Sequence, residues 1–133
     1  MSILDAGSVH REVVGGVATI RFGHPKANSL PGALLGALAE AITAAGQDEA
    51  ARVIVLRSEG AGPFCAGASF DELKAVQDAR SGQEFFSGFS RVILAMIRAP
   101  KFVVTRVQGK TAGGGVGIVA ASDYCLAVAG AEL

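Results

Sequence analysis

Two runs of β-prone residues open the chain. Residues 9–14 and 17–22 carry the valine, isoleucine, threonine and phenylalanine side chains that strands favour. Gly15 and Gly16 separate the runs, and a glycine pair is typical of the two-residue hairpin turn, which needs positive φ. The sequence therefore predicts an N-terminal β-hairpin.

The hydrophobic spacing changes from residue 31 onward. Apolar residues recur at helical intervals, at positions 34, 35, 38, 41 and 42. Pro31 lies near the start of this segment and Gly46 near its end, as is typical of a helix. Residues 52–57 then form a short apolar run typical of a buried strand, and the glycine-rich segment 58–63 reads as a loop. These segments predict a helix followed by a strand.

A longer amphipathic segment follows. Large apolar residues fall on one helical face, at Phe85, Phe86, Phe89, Val92, Ile93, Met96 and Ile97. We interpret Ser81 and Glu84 as the capping box of this helix, and Ala99 and Pro100 as its end. Although an aromatic stripe can line a ligand site, this periodicity favours a face that packs into the core.

The remaining pattern predicts a strand over 102–107, a short helix over 114–121 and a strand over 124–128. Because strands alternate with helices, the fold class is predicted to be α/β. No repeat, linker or low-complexity tract divides the chain, so residues 1–133 are predicted to form a single domain.

Composition excludes several function classes. Half of the 133 residues are hydrophobic, and 12 basic side chains balance 12 acidic ones, so a soluble domain without a nucleic-acid surface is expected. The start lacks a signal-peptide pattern, and the uncharged run 111–122 is too short to cross a membrane, which together predict a cytoplasmic location. Cys65 and Cys125 are expected to be plain buried thiols. His10 and His24 have no metal-ligand spacing, so no metal site is predicted.

Two segments rich in small residues could carry chemistry. Residues 64–70 read Phe-Cys-Ala-Gly-Ala-Ser-Phe, and either a ligand approaches the main chain there or the segment is only a tight turn. Residues 113–117 hold four glycines at the start of a predicted helix, where each interior glycine costs about 1 kcal/mol relative to alanine. Either close helix packing or free N–H groups facing a ligand would explain them.

Two nucleotide-binding motifs fail on spacing. Gly-Lys-Thr at 109–111 resembles the end of a phosphate-binding P-loop, but the first glycine of that motif would fall at Val104, inside a strand. A dinucleotide fingerprint starting at Gly113 would need its third glycine at Ile118. A nucleotide-binding module is therefore disfavoured.

Two of these segments together resemble the signatures of a known family. Phe-Cys-Ala-Gly-Ala (64–68) and Val-Gln-Gly-x-x-x-Gly-Gly-Gly-Val-Gly (107–117) are similar to the signature segments of the enoyl-CoA hydratase/isomerase (crotonase-like) family, and residues 25–30 resemble its early loop that contacts coenzyme A. The resemblance runs from about residue 9 to the end. It implies a crotonase-like β-β-α spiral, of which this chain carries the N-terminal part, and a homo-oligomer, either a trimer or a hexamer.

The resemblance also implies a chemistry. Family members act on unsaturated acyl-CoA thioesters and stabilise the enolate with two main-chain N–H groups, which correspond to those of Ala68 and Gly114 here. No cofactor is implied beyond the coenzyme A of the substrate. The start of the predicted helix independently leaves the Gly114 N–H without a helical partner. The implied substrate-binding positions are Lys26, Ala27, Ala66, Gly67, Ala68, Gly113, Gly114 and Gly117.

The sequence also departs from the family pattern. Gly117 occupies the position of the first catalytic glutamate of two-carboxylate hydratases, and the second glutamate would follow the strand at 124–128, beyond Leu133. The chain therefore reads as lacking the C-terminal half of the family domain. Asp71 and Glu72 fit helix-terminal charges better than catalytic bases. Lys26 could bind a coenzyme A phosphate or be a solvated turn residue. The alternative function is a non-catalytic acyl-CoA-binding or assembly subunit.

Overall fold

The structure, a computed structural model, describes residues 7–133 and contains one five-stranded sheet with four helices. The strands are β1 (Ser8–Val14), β2 (Val17–Gly23), β3 (Val53–Ser58), β4 (Val103–Val107) and β5 (Tyr124–Ala127). The helices are α1 (Gly32–Gln47), α2 (Phe70–Lys74), α3 (Ala79–Arg98) and α4 (Gly114–Ala120). The predicted α/β class is confirmed.

The sheet follows the order of the chain, β1-β2-β3-β4-β5. The β1–β2 pair is antiparallel and forms the predicted hairpin, with both turn glycines at positive φ (Gly15 +58°, Gly16 +82°). The other three strand pairs are parallel, and helices connect them. Parallel strands end at the same edge of a sheet, so the loops after β2, β3 and β4 meet there.

One hydrophobic core lies between the sheet and the helices. Alternate residues of β2 and β3, such as Ile20 and Leu56, are fully buried against Leu38 and Ile42 of α1. Lys101 closes the carboxyl end of α1, since its ammonium group donates to the Ala45 carbonyl at 2.9 Å. This core fixes the strands whose ends carry the candidate site.

Helix α3 differs from its prediction in two respects. It begins at Ala79, and the capping box consists of Asp78 and Ser81, because the Asp78 carboxylate accepts the Ser81 N–H at 2.7 Å. The predicted pair of Ser81 and Glu84 was wrong. The apolar face is also only partly covered: Val92 is buried, whereas Phe86 is 66% exposed. A core face therefore occupies only part of the predicted stripe.

Within the part of the chain that the structure describes, no helix is both long and apolar enough to cross a membrane.

Candidate active site

Three main-chain segments meet beyond the carboxyl ends of β2, β3 and β4. They are residues 24–30, 64–68 and 110–114, and parallel β-bridges join them at Leu30 with Ala68 and at Cys65 with Thr111. These segments are the early loop, the first signature segment and the central part of the second one. The structure therefore brings together three regions that are up to 90 residues apart in the sequence.

The first segment is held in place by Asn28. Its amide nitrogen donates to the carbonyls of Glu59 and Pro63, both at 2.9 Å, and its amide oxygen accepts the His24 N–H at 3.0 Å. Ala27 and Asn28 both have positive φ, a conformation that asparagine tolerates better than most residues. This loop anchor was not predicted from the sequence, although an asparagine in a turn is its usual signal.

The two signature segments lie side by side. Phe64 N–H donates to the Lys110 carbonyl and Ala112 N–H to the Cys65 carbonyl, both at 2.9 Å. Gly67 has φ +92°, and a Cβ there would lie 3.0 Å from the Ala112 oxygen and 3.4 Å from the Gly113 Cα. Glycine is required at 67 for both reasons.

The two predicted oxyanion donors follow these contacting glycines directly. Gly67 precedes Ala68, and Gly113 precedes Gly114, the first residue of α4. Within residues 7–133, neither the Ala68 N–H nor the Gly114 N–H donates to a backbone carbonyl. Two unpaired N–H groups are thus placed next to a pair of glycines, each of which would bring an added Cβ within 3.6 Å of the Cα of the other.

Packing explains two of the glycines in α4. A Cβ at Gly114 would lie 2.5 Å from the ring of Phe89 on α3, and one at Gly115 would lie 2.9 Å from both Cβ and Sγ of Cys65. At Gly117 the nearest atom, Cδ1 of Ile93, would be 3.3 Å from a Cβ, so the space beside this residue is bounded by α3. The glycine run therefore serves close packing as well as main-chain exposure.

A cavity of about 230 Å³ lies beside the first signature segment. Three predicted site residues line it, Lys26, Ala66 and Ala68, together with Ser29, Ser69, Phe70 and Asp71. Ala27, Gly67, Gly113, Gly114 and Gly117 do not line this cavity. Phe70 and the serines were not predicted, because nothing in their sequence distinguishes them from ordinary turn residues. A larger cavity, of about 660 Å³, lies between α1 and α3 and contains no predicted site residue.

The acidic groups near the cavity are engaged in structural contacts. Asp71 forms an ion pair with Lys26, and the hydrogen bond and charge of that lysine lower the pKa of the Asp71 carboxyl. The Glu72 carboxylate accepts the Gly32 N–H at 2.9 Å and so caps α1. The side chains of both acids are therefore engaged in contacts with Lys26 and with the start of α1.

Two further titratable groups lie under or beside the segments. Burial raises the pKa of the Cys65 thiol to about 11, despite the Gly67 N–H that it accepts at 3.4 Å. Burial, and secondarily the Lys26 charge, lower the pKa of His24, whose Nδ1 is 3.2 Å from the Ser29 hydroxyl. As predicted, both cysteines are free, with Cys65 buried and Cys125 partly buried. No group of three or more potential metal ligands occurs among residues 7–133.

Comparison with known proteins assigns the family. The sequence profile of the enoyl-CoA hydratase/isomerase family matches residues 12–132. The chain belongs to this family. The enoyl-CoA hydratase of Bacillus halodurans superimposes with a TM-score of 0.85 at 25% identity, over 92% of this chain and 51% of that one. The family fold is therefore confirmed for the part that is present.

Curated relatives from this family share about a third of their aligned residues with the chain. The (7aS)-7a-methyl-1,5-dioxo-2,3,5,6,7,7a-hexahydro-1H-indene-carboxyl-CoA hydrolase of Mycobacterium tuberculosis is 30% identical over 112 residues, which are 84% of this chain and 45% of the relative. The mitochondrial methylglutaconyl-CoA hydratase of Rattus norvegicus is 33% identical over 106 residues, which are 80% of this chain and 33% of the relative. The chain spans half or less of the length of these relatives.

Proposed function

We propose that this protein binds an acyl-CoA thioester and polarises its carbonyl with the N–H groups of Ala68 and Gly114. The observation that carries the proposal is the pair of unpaired N–H groups beside the closely spaced glycines 67 and 113. Donors of this kind act on the oxygen that becomes negatively charged in an enolate, and removing one donor typically costs about 3 kcal/mol in the barrier.

The substrate class is supported by the family and by the relatives. The two relatives described above act, by their names, on CoA compounds, but one is a hydrolase and the other a hydratase. The thioester is what such reactions share. For this chain we favour hydration or double-bond isomerisation of an unsaturated acyl-CoA. We also propose that the protein assembles as a homotrimer or hexamer.

The remaining predicted contacts have defined roles in the proposal. Lys26 would bind a coenzyme A phosphate after exchanging its partner Asp71, since both side chains are more than two-thirds exposed. The main chain of 66, 67 and 113, with the adjoining turn at Ala27, would form the wall beside the thioester. Gly117 would lie near the acyl end.

The proposal is tested by titrating the ¹⁵N-labelled protein with acetoacetyl-CoA, a stable thioester. Amide signals of Ala68 and Gly114 should shift on binding, whereas the amide of Gly130, whose surroundings are open, should not. Binding that leaves both donor amides unchanged would rule out the oxyanion site.

A non-catalytic acyl-CoA-binding or assembly subunit is the second candidate, favoured by Gly117 at the position of a family glutamate. A hydration assay with crotonyl-CoA separates the candidates, because binding without turnover supports the second. The Gly117→Glu variant should gain hydration if one carboxylate is sufficient without the second family glutamate, with Gly117→Gln as the matched control. Ile93 must shift by a few tenths of an ångström to admit either side chain.

A further inference from the structure

A row of basic residues crosses the sheet on the face opposite the core. The β1–β2 register pairs His10 with Arg21, and the β2–β3 register pairs Arg21 with Arg57. The β3–β4 register pairs Leu56 with Thr105, which puts Arg106 beside Arg57. Four neighbouring strands thus contribute one basic residue each, and we call this set the basic row.

The direction of these side chains follows from strand alternation. Each arginine lies between two buried residues of its strand: Ile20 and Phe22 flank Arg21, Leu56 and Ser58 flank Arg57, and Thr105 and Val107 flank Arg106. Successive side chains point to opposite faces of a sheet, so all three arginines point away from the core. Arg21 and Arg57 are partly buried, whereas Arg106 is exposed.

The basic row is not neutralised within residues 7–133. Arg21 has an acidic partner, with its Nε 2.8 Å from Oε1 of Glu59. The Nε atoms of Arg21 and Arg57 are both buried, and neither has a hydrogen-bond partner in the described structure, so the Arg21–Glu59 contact is an ion pair without hydrogen-bond geometry. Like charges directly opposite each other on neighbouring strands are destabilising. A row of three adjacent arginines with one ion pair is therefore a place where a bound anion would be stabilising.

The basic row borders a cavity. About 300 Å³ of space is lined by His10, Arg11, Glu12, Thr19, Arg21 and Arg57. Arg11 is engaged with Asp48 at 3.1 Å, and Glu12 is the one acid in this lining. The guanidinium groups of Arg21 and Arg57 are thus the cations that can face the cavity, and their planar fork fits the oxygens of a phosphate group.

We propose that the basic row is a binding site for a compound with two linked phosphate groups, held between Arg21 and Arg57 with Arg106 at the end of the row. Arg21 and Arg57 lie on neighbouring strands and can each bind one phosphate group, although Glu12 and Glu59 reduce the charge of the three arginines to a net +1. The compound could be inorganic pyrophosphate or a nucleoside diphosphate, which share this chemistry. The site is independent of the proposed thioester site, because it lies on the open face of the sheet.

Isothermal titration of the 133-residue protein with inorganic pyrophosphate at low ionic strength tests the proposal. We expect saturable binding, at least a tenfold loss of affinity in Arg57→Gln, and a smaller loss in Arg57→Lys, which keeps the charge but not the fork. Arg98→Gln on α3 is the matched control and should bind as the parent does. Thermal unfolding verifies that each variant is folded. If Arg57→Gln does not fold, Arg106→Gln takes its place in the titration.

The second titration uses ADP. Tighter binding of ADP than of pyrophosphate identifies a nucleoside ligand, and equal binding identifies the diphosphate alone; both support the site if Arg57 or Arg106 is required. The proposal is overturned if pyrophosphate shows no saturable binding, or if Arg98→Gln weakens binding as much as the basic-row variants do.

Discussion

At the scale of single residues, the glycines of the second signature segment are not equivalent. Gly114 and Gly115 have no room for a Cβ, because the ring of Phe89 and the side chain of Cys65 occupy that space. The sequence left close packing and main-chain exposure open as alternatives for this run. The contacts show close packing at both positions, and the unpaired N–H of Gly114 is compatible with the second explanation as well.

We predict that Gly114→Ala destabilises the protein by about 1–3 kcal/mol, the usual cost of overpacking a filled site. Gly36→Ala is the matched control: it is also a helical glycine, but a Cβ there meets nothing within 4 Å. That substitution should stabilise the protein by up to about 1 kcal/mol. Urea unfolding measures both effects, and Phe89→Leu should partly rescue Gly114→Ala. Equal effects of the two alanines would contradict the packing argument.

Cys65 should be unreactive in the folded protein. Its thiol is buried and its pKa is raised to about 11, so little thiolate is present near neutral pH. We predict that iodoacetamide at pH 8 modifies Cys125 but modifies Cys65 only after unfolding in guanidinium chloride. Peptide mass spectrometry locates the label, and a Cys125→Ser variant gives the rate for Cys65 alone. Fast labelling of Cys65 in that folded variant would mean that the residues burying its thiol move apart readily.

The limits of the sequence are visible at single residues. The adjacency of segments 64–68 and 110–114 was implied by the resemblance to a family, because the two signature segments of that family contribute to one site. Contacts such as Lys26 with Asp71, or Gly114 with Phe89, depend on side-chain positions in three dimensions. They involve residues that are 45 and 25 positions apart, and no local pattern encodes them.

At the scale of elements, periodicity was sufficient where elements are long or strictly alternating. The hairpin, α1 and β3 were predicted within about one residue of their observed ends. Helix α2 has five residues and none of them is buried, so it leaves no periodic signal, although Asp71 and Glu72 were interpreted as helix-terminal charges. The cap of α3 was misassigned because Asp78 and Ser81 are both good capping residues and only geometry distinguishes the N-cap from the third helical position.

The corrected cap makes a pH-dependent prediction. The Ser81 N–H, with the Ser81 hydroxyl second, lowers the pKa of the Asp78 carboxyl in the folded protein. A lowered folded pKa adds stability above the unfolded value, about 3.9, and this stability is lost as the pH falls through the folded pKa. Asp78→Ala should therefore reduce Tm at pH 7 and have a smaller effect below pH 3 or so. Glu84→Ala, which removes the wrongly predicted partner of Ser81, should change Tm little. If Glu84→Ala and Asp78→Ala lowered Tm equally at pH 7, the capping box of Ser81 and Glu84 would be supported after all.

At the scale of the whole molecule, apolar side chains are exposed on the edge strand β5 and on α3. Tyr124 and Leu126 on the edge strand β5 are 61% and 54% exposed, and Val128 follows them. Phe86 and Ile97 are exposed on α3. An edge strand without charged residues is open to pairing with another chain. These surfaces are available for association with further protein.

We predict that the purified 133-residue chain self-associates in sedimentation velocity at micromolar concentration. Leu126→Lys should shift the distribution toward the monomer, because a lysine on an edge strand opposes pairing. Val14→Lys is the matched control, since Val14 is 70% exposed but lies at the opposite edge of the sheet. A monomer at all concentrations, with full hydratase turnover, would show that the chain needs neither a partner nor a further segment.

The order of the strands also has a kinetic consequence. The β1–β2 turn joins neighbouring residues, but the β2–β3 pairing brings Val17 to Val53 and the β3–β4 pairing brings Ile54 to Val103, across 36 and 49 residues. Long-range pairings of this kind slow folding, because loop closure must precede the contacts that reward it. The hairpin can form within microseconds. The candidate site, which draws on the loops after three strands, is complete only when the slowest of these pairings has formed.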